Sequence, residues 1–314
     1  MGGDTIPAKR AILIAGPTAS GKSALAVAVA ERLGGTVVNA DAMQVYRDLR
    51  ILTARPSEAE MAQVPHRLFG HVDAAEAYSV GRWLADVALL LEEVEQKGRV
   101  PVLVGGTGLY LKALTRGLSP MPAVPPDLRD RLRLDAETTP PAALHARLAA
   151  CDPGMAARLR PTDPQRILRA LEVFEATGRS LLSFQAISEP PLLPATYVTG
   201  IFLAPTRVAS NAAIDRRFDA MMAAGALDEV AALSARRLDP SLPAMRALGV
   251  PHLILAHEAA MGLREAVEAA KLATRQYAKR QSTFVRHQLP DLDWVPPEAG
   301  FDAVMSRWMR GVAQ

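Results

Sequence analysis

The run Gly16-Pro17-Thr18-Ala19-Ser20-Gly21-Lys22-Ser23 constrains this chain more than any other stretch. An apolar segment, Ala11-Ile12-Leu13-Ile14-Ala15, precedes it, and Ala24-Leu25-Ala26-Val27-Ala28-Val29-Ala30, rich in helix formers, follows. Strand, glycine loop and helix are the context in which the spacing G-x-x-x-x-G-K-[ST] has a physical meaning. Gly16 and Gly21 permit a tight turn that aims the backbone N–H groups of the loop, Ala19 and Ser20 included, inward. Those donors, the positive end of a helix starting near Lys22, and the Lys22 ammonium form a cradle for two linked phosphates. Ser23 offers a hydroxyl to a Mg²⁺ ion bridging the phosphate oxygens. The loop alone does not say which diphosphate it holds.

Thr36-Val37-Val38-Asn39 reads as a second buried strand that delivers Asp41, Ala42, Met43 and Gln44 at its carboxyl end. Ligands of open α/β sheets sit beyond those ends, so Asp41 and the phosphate loop should face one crevice. Residues 57–79 give a mixed signal. Ser79 is placed to cap a helix carrying Trp83, Leu84, Val87, Leu90, Leu91 and Val94 at helical spacing, closed by Lys97-Gly98. Val100-Pro101-Val102-Leu103-Val104 is a third strand, its proline permitted at a start or an edge, and it ends in Gly105-Gly106-Thr107-Gly108. A nucleoside triphosphatase with this loop would finish such a strand with an aspartate that holds Mg²⁺ or its water. Here only glycines and a threonine stand.

A proline-rich stretch at 119–126 marks a boundary. Residues 127–188 read as short helices, opened at Pro125-Pro126-Asp127, Pro140-Pro141 and Asp163-Pro164-Gln165, with no strands among them. The expected architecture is therefore α/β, a parallel sheet flanked by helices (1–120 and 195–314), with a small all-helical domain inserted at 121–194. Strand character returns at 197–203. A helix over 207–224 bears Ile214, Phe218, Met221 and Met222 as core candidates, a long periodic helix covers 263–287, and 292–295 reads as a last strand.

At 314 residues, two domains with real cores are expected. The formal charge of +3 is small, but the positive residues are overwhelmingly arginine, and clustering would draw a polyanion. One cysteine, Cys151, excludes an internal disulfide, and no Cys/His spacing resembles a zinc site. Residues 1–6 lack the apolar core of a signal peptide, Ile6 breaks the myristoylation pattern, and no segment has the apolar length of a membrane helix. A soluble, cytoplasmic protein with no membrane partner is the expectation.

Asp41 sits where a general base or a metal-linked carboxylate would sit, and equally where a turn or cap residue would. Thr107, between glycines, could donate a hydrogen bond to a ligand that approaches the backbone closely. Lys271, Arg275 and Lys279 recur at four-residue spacing, followed by Arg280, Arg286 and His287. Such a stripe is either a solvated face or a nucleic-acid surface, and the interleaved Tyr277, Phe284, Gln276 and Gln281 add stacking and hydrogen-bonding capacity. Arg129, Arg131, Arg133, Arg166 and Arg169 would extend a basic surface.

Seven segments together resemble one family. They are Gly16 to Ser23, Asp41-Ala42-Met43-Gln44-Val45-Tyr46, Thr53-Ala54-Arg55-Pro56, Pro65-His66-Arg67-Leu68, Val104-Gly105-Gly106-Thr107-Gly108-Leu109-Tyr110, Asp163-Pro164-Gln165-Arg166-Ile167-Leu168-Arg169-Ala170-Leu171-Glu172-Val173, and Thr274-Arg275-Gln276-Tyr277-Ala278-Lys279-Arg280-Gln281. In this order, over nearly the whole chain, they resemble the bacterial tRNA dimethylallyltransferases, or tRNA isopentenyltransferases. The resemblance implies transfer of a dimethylallyl group from dimethylallyl diphosphate to N6 of the adenine 3′ of the tRNA anticodon, assisted by Mg²⁺, with the loop holding the prenyl donor's diphosphate instead of ATP. It implies Asp41 as the base that accepts the N6 proton and Gln44 as a group reading the extruded adenine. Thr18, Lys22 and Ser23 match contacts to the diphosphate and metal, and Arg217 an arginine on that diphosphate. Thr107, Arg129, the segment from Gln165 to Arg169, the stretch around Met245, Arg246 and Gly249, and Lys279, Arg280, Gln281 and Arg286 match tRNA contacts, alongside Asp41, Ala42, Met43 and Gln44. Two departures stand out: Ala42 where the family commonly has serine, and Gly249-Val250-Pro251 where it has Gly-Tyr-Arg or Gly-Tyr-Lys. A monomer is expected. The rival readings are a nucleotide kinase or triphosphatase, a prenyltransferase acting on free adenine nucleotides, and an RNA-binding module whose loop grips a backbone phosphate.

Overall fold

The computed structural model describes residues 10–312, so the reading of residues 1–6 lies outside the described residues. Among the described residues six strands, β1 (Ala11–Ala15), β2 (Thr36–Asn39), β3 (His66–Arg67), β4 (Pro101–Gly105), β5 (Val198–Leu203) and β6 (Asp293–Val295), form one sheet. Its order is β3-β2-β4-β1-β5-β6, and every pairing is parallel. Helices α1 (Lys22–Leu33), α2 (Glu58–Gln63), α3 (Val80–Gln96) and α4 (Gly108–Arg116) come first. Then follow α5 (Pro126–Thr138), α6 (Pro141–Cys151), α7 (Pro153–Ala156), α8 (Pro164–Thr177) and α9 (Leu181–Gln185). The chain closes with α10 (Arg207–Ala223), α11 (Ala226–Ala235), α12 (Val250–His257), α13 (Leu263–Gln288) and α14 (Gly300–Val312).

Helices cover both sheet faces, which is why β1 is apolar at every position instead of alternating. Its Ile12 and Ile14 pack with Ala26 and Val29 of α1 and Val304 of α14, while Ala11, Leu13 and Ala15 join the larger core built with α3, α4 and α11 to α13. Pro101 is the first residue of β4, where the missing N–H costs little even in an interior strand. Residues 57–79, ambiguous by pattern, open with a capping box between Ser57 and Glu60 and continue into α2 and the two-residue β3. Ser79 caps α3 through the Arg82 N–H.

Residues Gly117–Pro190 form a compact unit of their own, placed from sequence a few residues later, at 121–194. Leu144, Leu148, Ile167, Leu171 and Val173 make its core. Asp163 caps α8, accepting from the Arg166 N–H. The arginines read as a single basic surface are partly neutralised within this unit. Buried Glu172 takes Arg169 at 3.2 Å and Arg133 at 3.8 Å, and Glu175 takes Arg131 and Arg147. Ile167, expected as a tRNA contact, is fully buried at 0 % exposure and is a packing residue.

Candidate active site

Three strand ends, after β1, β2 and β4, supply one cleft in the larger unit. In the first loop Ala19 and Gly21 have φ of 63° and 85°. Left-handed backbone at a non-glycine residue costs roughly 1–2 kcal/mol, and the local gain is the inward turn of successive N–H groups that a phosphate needs. Gly16 is required for packing, since a Cβ there would stand 2.6 Å from the Ser20 Oγ. That hydroxyl is buried without a partner, and the Ser20 N–H bonds back to the Pro17 carbonyl at 3.3 Å, so Ser20 braces the loop from inside. No side chain caps α1 at its amino end, which leaves the donors of its first turn for an anion. Lys22 is 8 % exposed, and its Nζ donates to the Pro17 carbonyl at 3.3 Å. Burial lowers its pKa from 10.5 to about 8, with Asp41 acting the other way and Arg217 in the same sense. Burial likewise lowers Arg217, on α10, against the opposing influence of Asp41. The three charges therefore sense one another.

In the second loop the Asn39 amide fixes the backbone. Its Oδ1 accepts the Asp41 N–H at 2.8 Å and its Nδ2 donates to the Asp41 carbonyl at 2.9 Å and the Leu68 carbonyl at 3.0 Å. One Asp41 carboxylate oxygen accepts the Met43 N–H at 2.9 Å, which leaves the other for a ligand. Gln44 donates through Nε2 to the carbonyls of Thr53 at 2.9 Å and Ala54 at 3.2 Å, so its Oε1 is the remaining acceptor. The loop carrying those carbonyls is held by Glu229 of α11, whose carboxylate accepts the N–H groups of Arg50, Ile51 and Leu52 at 2.6, 2.7 and 2.9 Å. Glu229 has no local signature and was missed from sequence.

The third loop is packed from within. The space at Gly106 and Gly108 is not open to a ligand, because side chains of α13 fill it. A Cβ at Gly106 would lie 2.1 Å from Gln281 Nε2, and one at Gly108 would lie 2.2 Å from the Phe284 ring. Thr107 is also engaged within the protein: its Oγ1 accepts the Ala42 N–H at 2.9 Å, and the Tyr277 phenol is hydrogen-bonded to it. Burial, then the nearby charge of Asp41, pushes the Tyr277 phenol up to about 12. Gln281, expected as a tRNA contact, is only 4 % exposed, and its amide bonds to the Thr18 N–H and the Gly106 carbonyl. The basic stripe of α13 divides as well. Lys271 pairs with Asp219 at 2.6 Å and Arg275 with Asp215, locking α13 to α10, whereas Lys279, Arg280 and Arg286 stay exposed.

The resulting cleft, of about 330 Å³, brings together Thr18, Lys22, Asp41, Gln44, Arg217 and Tyr277. Leu52, Ile214, Phe218 and Met221 give it an apolar wall, and Arg246 and Arg280 also line it. Gly249, expected as a tRNA contact, is buried behind that wall with φ 92°, its missing Cβ leaving room for Leu52 and Phe218. The Val250-Pro251 departure is absorbed because Pro251 falls in the first turn of α12, where no N–H is needed. Met43 also lines the cleft, while Ala42 and Met245 are half-buried and pack against the core. Arg129, Gln165, Arg166, Leu168 and Arg169 belong to the smaller unit.

A glycine-bounded loop at a central strand of a parallel sheet, facing a carboxylate, a buried lysine, a half-buried arginine and an apolar wall, makes this cleft the site of an α/β transferase. The model of the family described as "IPP transferase" matches residues 44–288, and that of "Isopentenyl transferase" matches residues 9–74. This chain belongs to the IPP transferase family. It is 60 % identical over 287 residues to the tRNA dimethylallyltransferase of Methylocella silvestris, spanning 91 % of this chain and 95 % of that one. The corresponding protein of Nitrobacter hamburgensis is 58 % identical over 288 residues, 92 % of this chain and 91 % of that one. Among solved structures, the tRNA isopentenylpyrophosphate transferase of Bacillus halodurans matches with a TM-score of 0.68 at 32 % identity, covering 97 % and 96 % of the two chains. A eukaryotic dimethylallyltransferase acting on tRNA matches with a TM-score of 0.76 at 28 % identity, over 91 % of this chain and 73 % of that one.

Proposed function

We propose that this protein transfers the dimethylallyl group of dimethylallyl diphosphate to N6 of the adenine 3′ of the anticodon in tRNA, releasing diphosphate. The observation that carries the reading is the one cleft in which the phosphate loop, Lys22 and Arg217 meet Asp41 beside an apolar wall. Phosphate donors alone would serve a kinase, but the strand-end aspartate of a triphosphatase is missing at Gly105-Gly106-Thr107. Incubation with labelled dimethylallyl diphosphate and, separately, unmodified tRNA, AMP and ATP tests it. Label should appear in tRNA alone, and label in a free nucleotide, or consumption of ATP without prenylation, overturns it.

An exocyclic adenine amine is a weak nucleophile, because its lone pair is delocalised into the ring. Catalysis therefore acts on the leaving group and on geometry. As the allylic C–O bond breaks, its electron pair goes to the diphosphate, where loop N–H groups, Lys22 and Arg217 stabilise the growing charge. N6 forms the new C–N bond and loses one proton to Asp41. The amine has two N–H groups, and the site offers two acceptors in the free oxygen of Asp41 and Oε1 of Gln44. The base must leave the anticodon-loop stack to reach them, at a cost of a few kcal/mol.

Mg²⁺ fits the donor set. Among the described residues no cluster of three His, Cys, Asp or Glu side chains could cage an ion, and Mg²⁺ is commonly held by substrate phosphates and water with few protein oxygens. Ser23, exposed at the start of α1, is the residue that would reach it, and the ion would offset diphosphate charge. Among the described residues no helix is long and apolar enough to cross a membrane. Action on tRNA in the cytoplasm, as a monomer, completes the proposal.

Two measurements follow from the charges. Because Lys22 in the folded protein titrates near 8 against 10.5 in the unfolded chain, it is protonated below pH 8 and largely neutral above. A bound diphosphate holds it protonated, so donor affinity should weaken by about tenfold per pH unit above pH 8. The donor-free protein shows the opposite sign, gaining stability from this group as pH rises between the two values. Lys22→Arg should flatten the affinity profile, and a flat wild-type profile would remove Lys22 from the diphosphate site. Separately, tRNA affinity should fall linearly on a log–log plot against salt, and Lys279→Ala should reduce the slope by about 1. A slope that Lys279→Ala leaves unchanged would place the RNA backbone elsewhere.

A further inference from the structure

We infer that Gln281 is a positioning residue for the donor site, acting through Thr18, instead of a contact to RNA. The inference rests on the prenyl-transfer reading above and extends it to a residue whose neighbours on α13, Lys279 and Arg280, do face solvent. Gln281 does not. Its side chain is 4 % exposed, its Oε1 accepts the Thr18 N–H at 2.9 Å, and its Nε2 donates to the Gly106 carbonyl at 2.9 Å. The orientation is fixed by chemistry, since a backbone N–H can only donate and a backbone carbonyl can only accept. A flipped amide would lose both bonds.

Thr18 lies in the phosphate loop after β1, and Gly106 lies directly after β4, the strand paired with β1. One buried amide from α13 thus clasps the carboxyl ends of two adjacent strands where the donor would sit. It also consumes the Thr18 N–H, which leaves to the diphosphate the Thr18 hydroxyl and the N–H groups further along the loop. With Ala19 at φ 63°, the loop is already in a conformation that alanine adopts at a cost, and a clasp one residue upstream holds it there. Gly106 is the complement of the clasp, because any Cβ there would collide with Nε2 at 2.1 Å. The helix is itself anchored, through Lys271 to Asp219 and Arg275 to Asp215 of α10.

The test measures donor and acceptor separately in the full-length protein. Gln281→Met keeps length and volume but has no amide, and Gly106→Ala keeps Gln281 but drives its amide off the strand, while its methyl also stands 3.0 Å from the Gly16 carbonyl, so the Gln281→Met result decides. With dimethylallyl diphosphate alone, titrated by calorimetry, both variants should bind about tenfold more weakly, while the KM for tRNA stays within about twofold of wild type. A raised KM for tRNA with unchanged donor affinity would make Gln281 an RNA contact and overturn the inference. So would unchanged values for both substrates, or failure of both variants to fold, which would reduce the clasp to architecture. If wild-type protein binds no dimethylallyl diphosphate, the prenyl-transfer reading fails first, and that result is distinguishable because it needs no variant.

Discussion

Replacing Asp41 by asparagine should lower turnover by a factor on the order of 10²–10⁴, the usual contribution of a positioned general base, with tRNA affinity nearly unchanged. Asparagine preserves the local fold. Its Oδ1 can still accept the Met43 N–H now held at 2.9 Å, and the Asn39 amide still brackets the backbone on either side. What is lost is the negative charge beside Lys22 and Arg217 and, in the proposed mechanism, the acceptor of the N6 proton. The two cations should then titrate lower, because Asp41 is the group that opposes the effect of their burial. Single-turnover transfer with saturating donor and tRNA reads the chemical step directly. Retention of more than about a tenth of wild-type turnover would take Asp41 out of the proton transfer.

Much of this site was legible because the decisive patterns are local. The loop spacing, an apolar run of five before it and an alanine-rich helix after it predict β1, the cradle and α1 without any distant partner. Strand ends gave Asp41 and Thr107, and a long periodic pattern gave α13. The failures are long-range. Glu229 clasps three N–H groups roughly 180 positions away, and nothing within α11 announces it. Gly106 and Gly108 look like a ligand loop in isolation, but their empty side is filled by Gln281 and Phe284 of α13.

Lys271 and Arg275 illustrate a signal that was present and unused. Asp215 and Asp219 stand four apart on α10, and Arg275 and Lys271 stand four apart on α13. Two antiparallel helices bring such sets into register, as the pairs Asp215 with Arg275 and Asp219 with Lys271 show. Helix α14 was missed although Val304 and Trp308, four apart, mark its apolar face; α11 and α12 escaped for a simpler reason. Their stability comes from packing against the rest of the core, not from a pattern strong enough to stand alone.

The second large effect is expected at Gly105, the last residue of β4. A Cβ built there would stand 2.1 Å from the Ala40 carbonyl oxygen and 2.2 Å from its carbon, with backbone atoms that no rotamer change can move. Ala40 is also tied to β4 from the other side, donating its N–H to the Val104 carbonyl at 2.8 Å, and Asn39 pairs with Val104 in the sheet. Alanine at this position must therefore push β2 from β4 where the chain turns into Asp41. Overpacking of this kind costs roughly 3 kcal/mol, and the displaced strand end should reduce turnover in the molecules that remain folded. Gly81, in the first turn of α3, makes the contrast. A Cβ there meets nothing closer than the Ser79 Oγ at 3.9 Å, so Gly81→Ala should stabilise by roughly 0.5–1 kcal/mol through helix propensity alone. Denaturant unfolding of the two variants beside wild type separates the cases. A Gly105→Ala protein as stable as wild type would show that the carboxyl ends of β2 and β4 yield freely, and a rigid seat for Asp41 would no longer follow from the sheet.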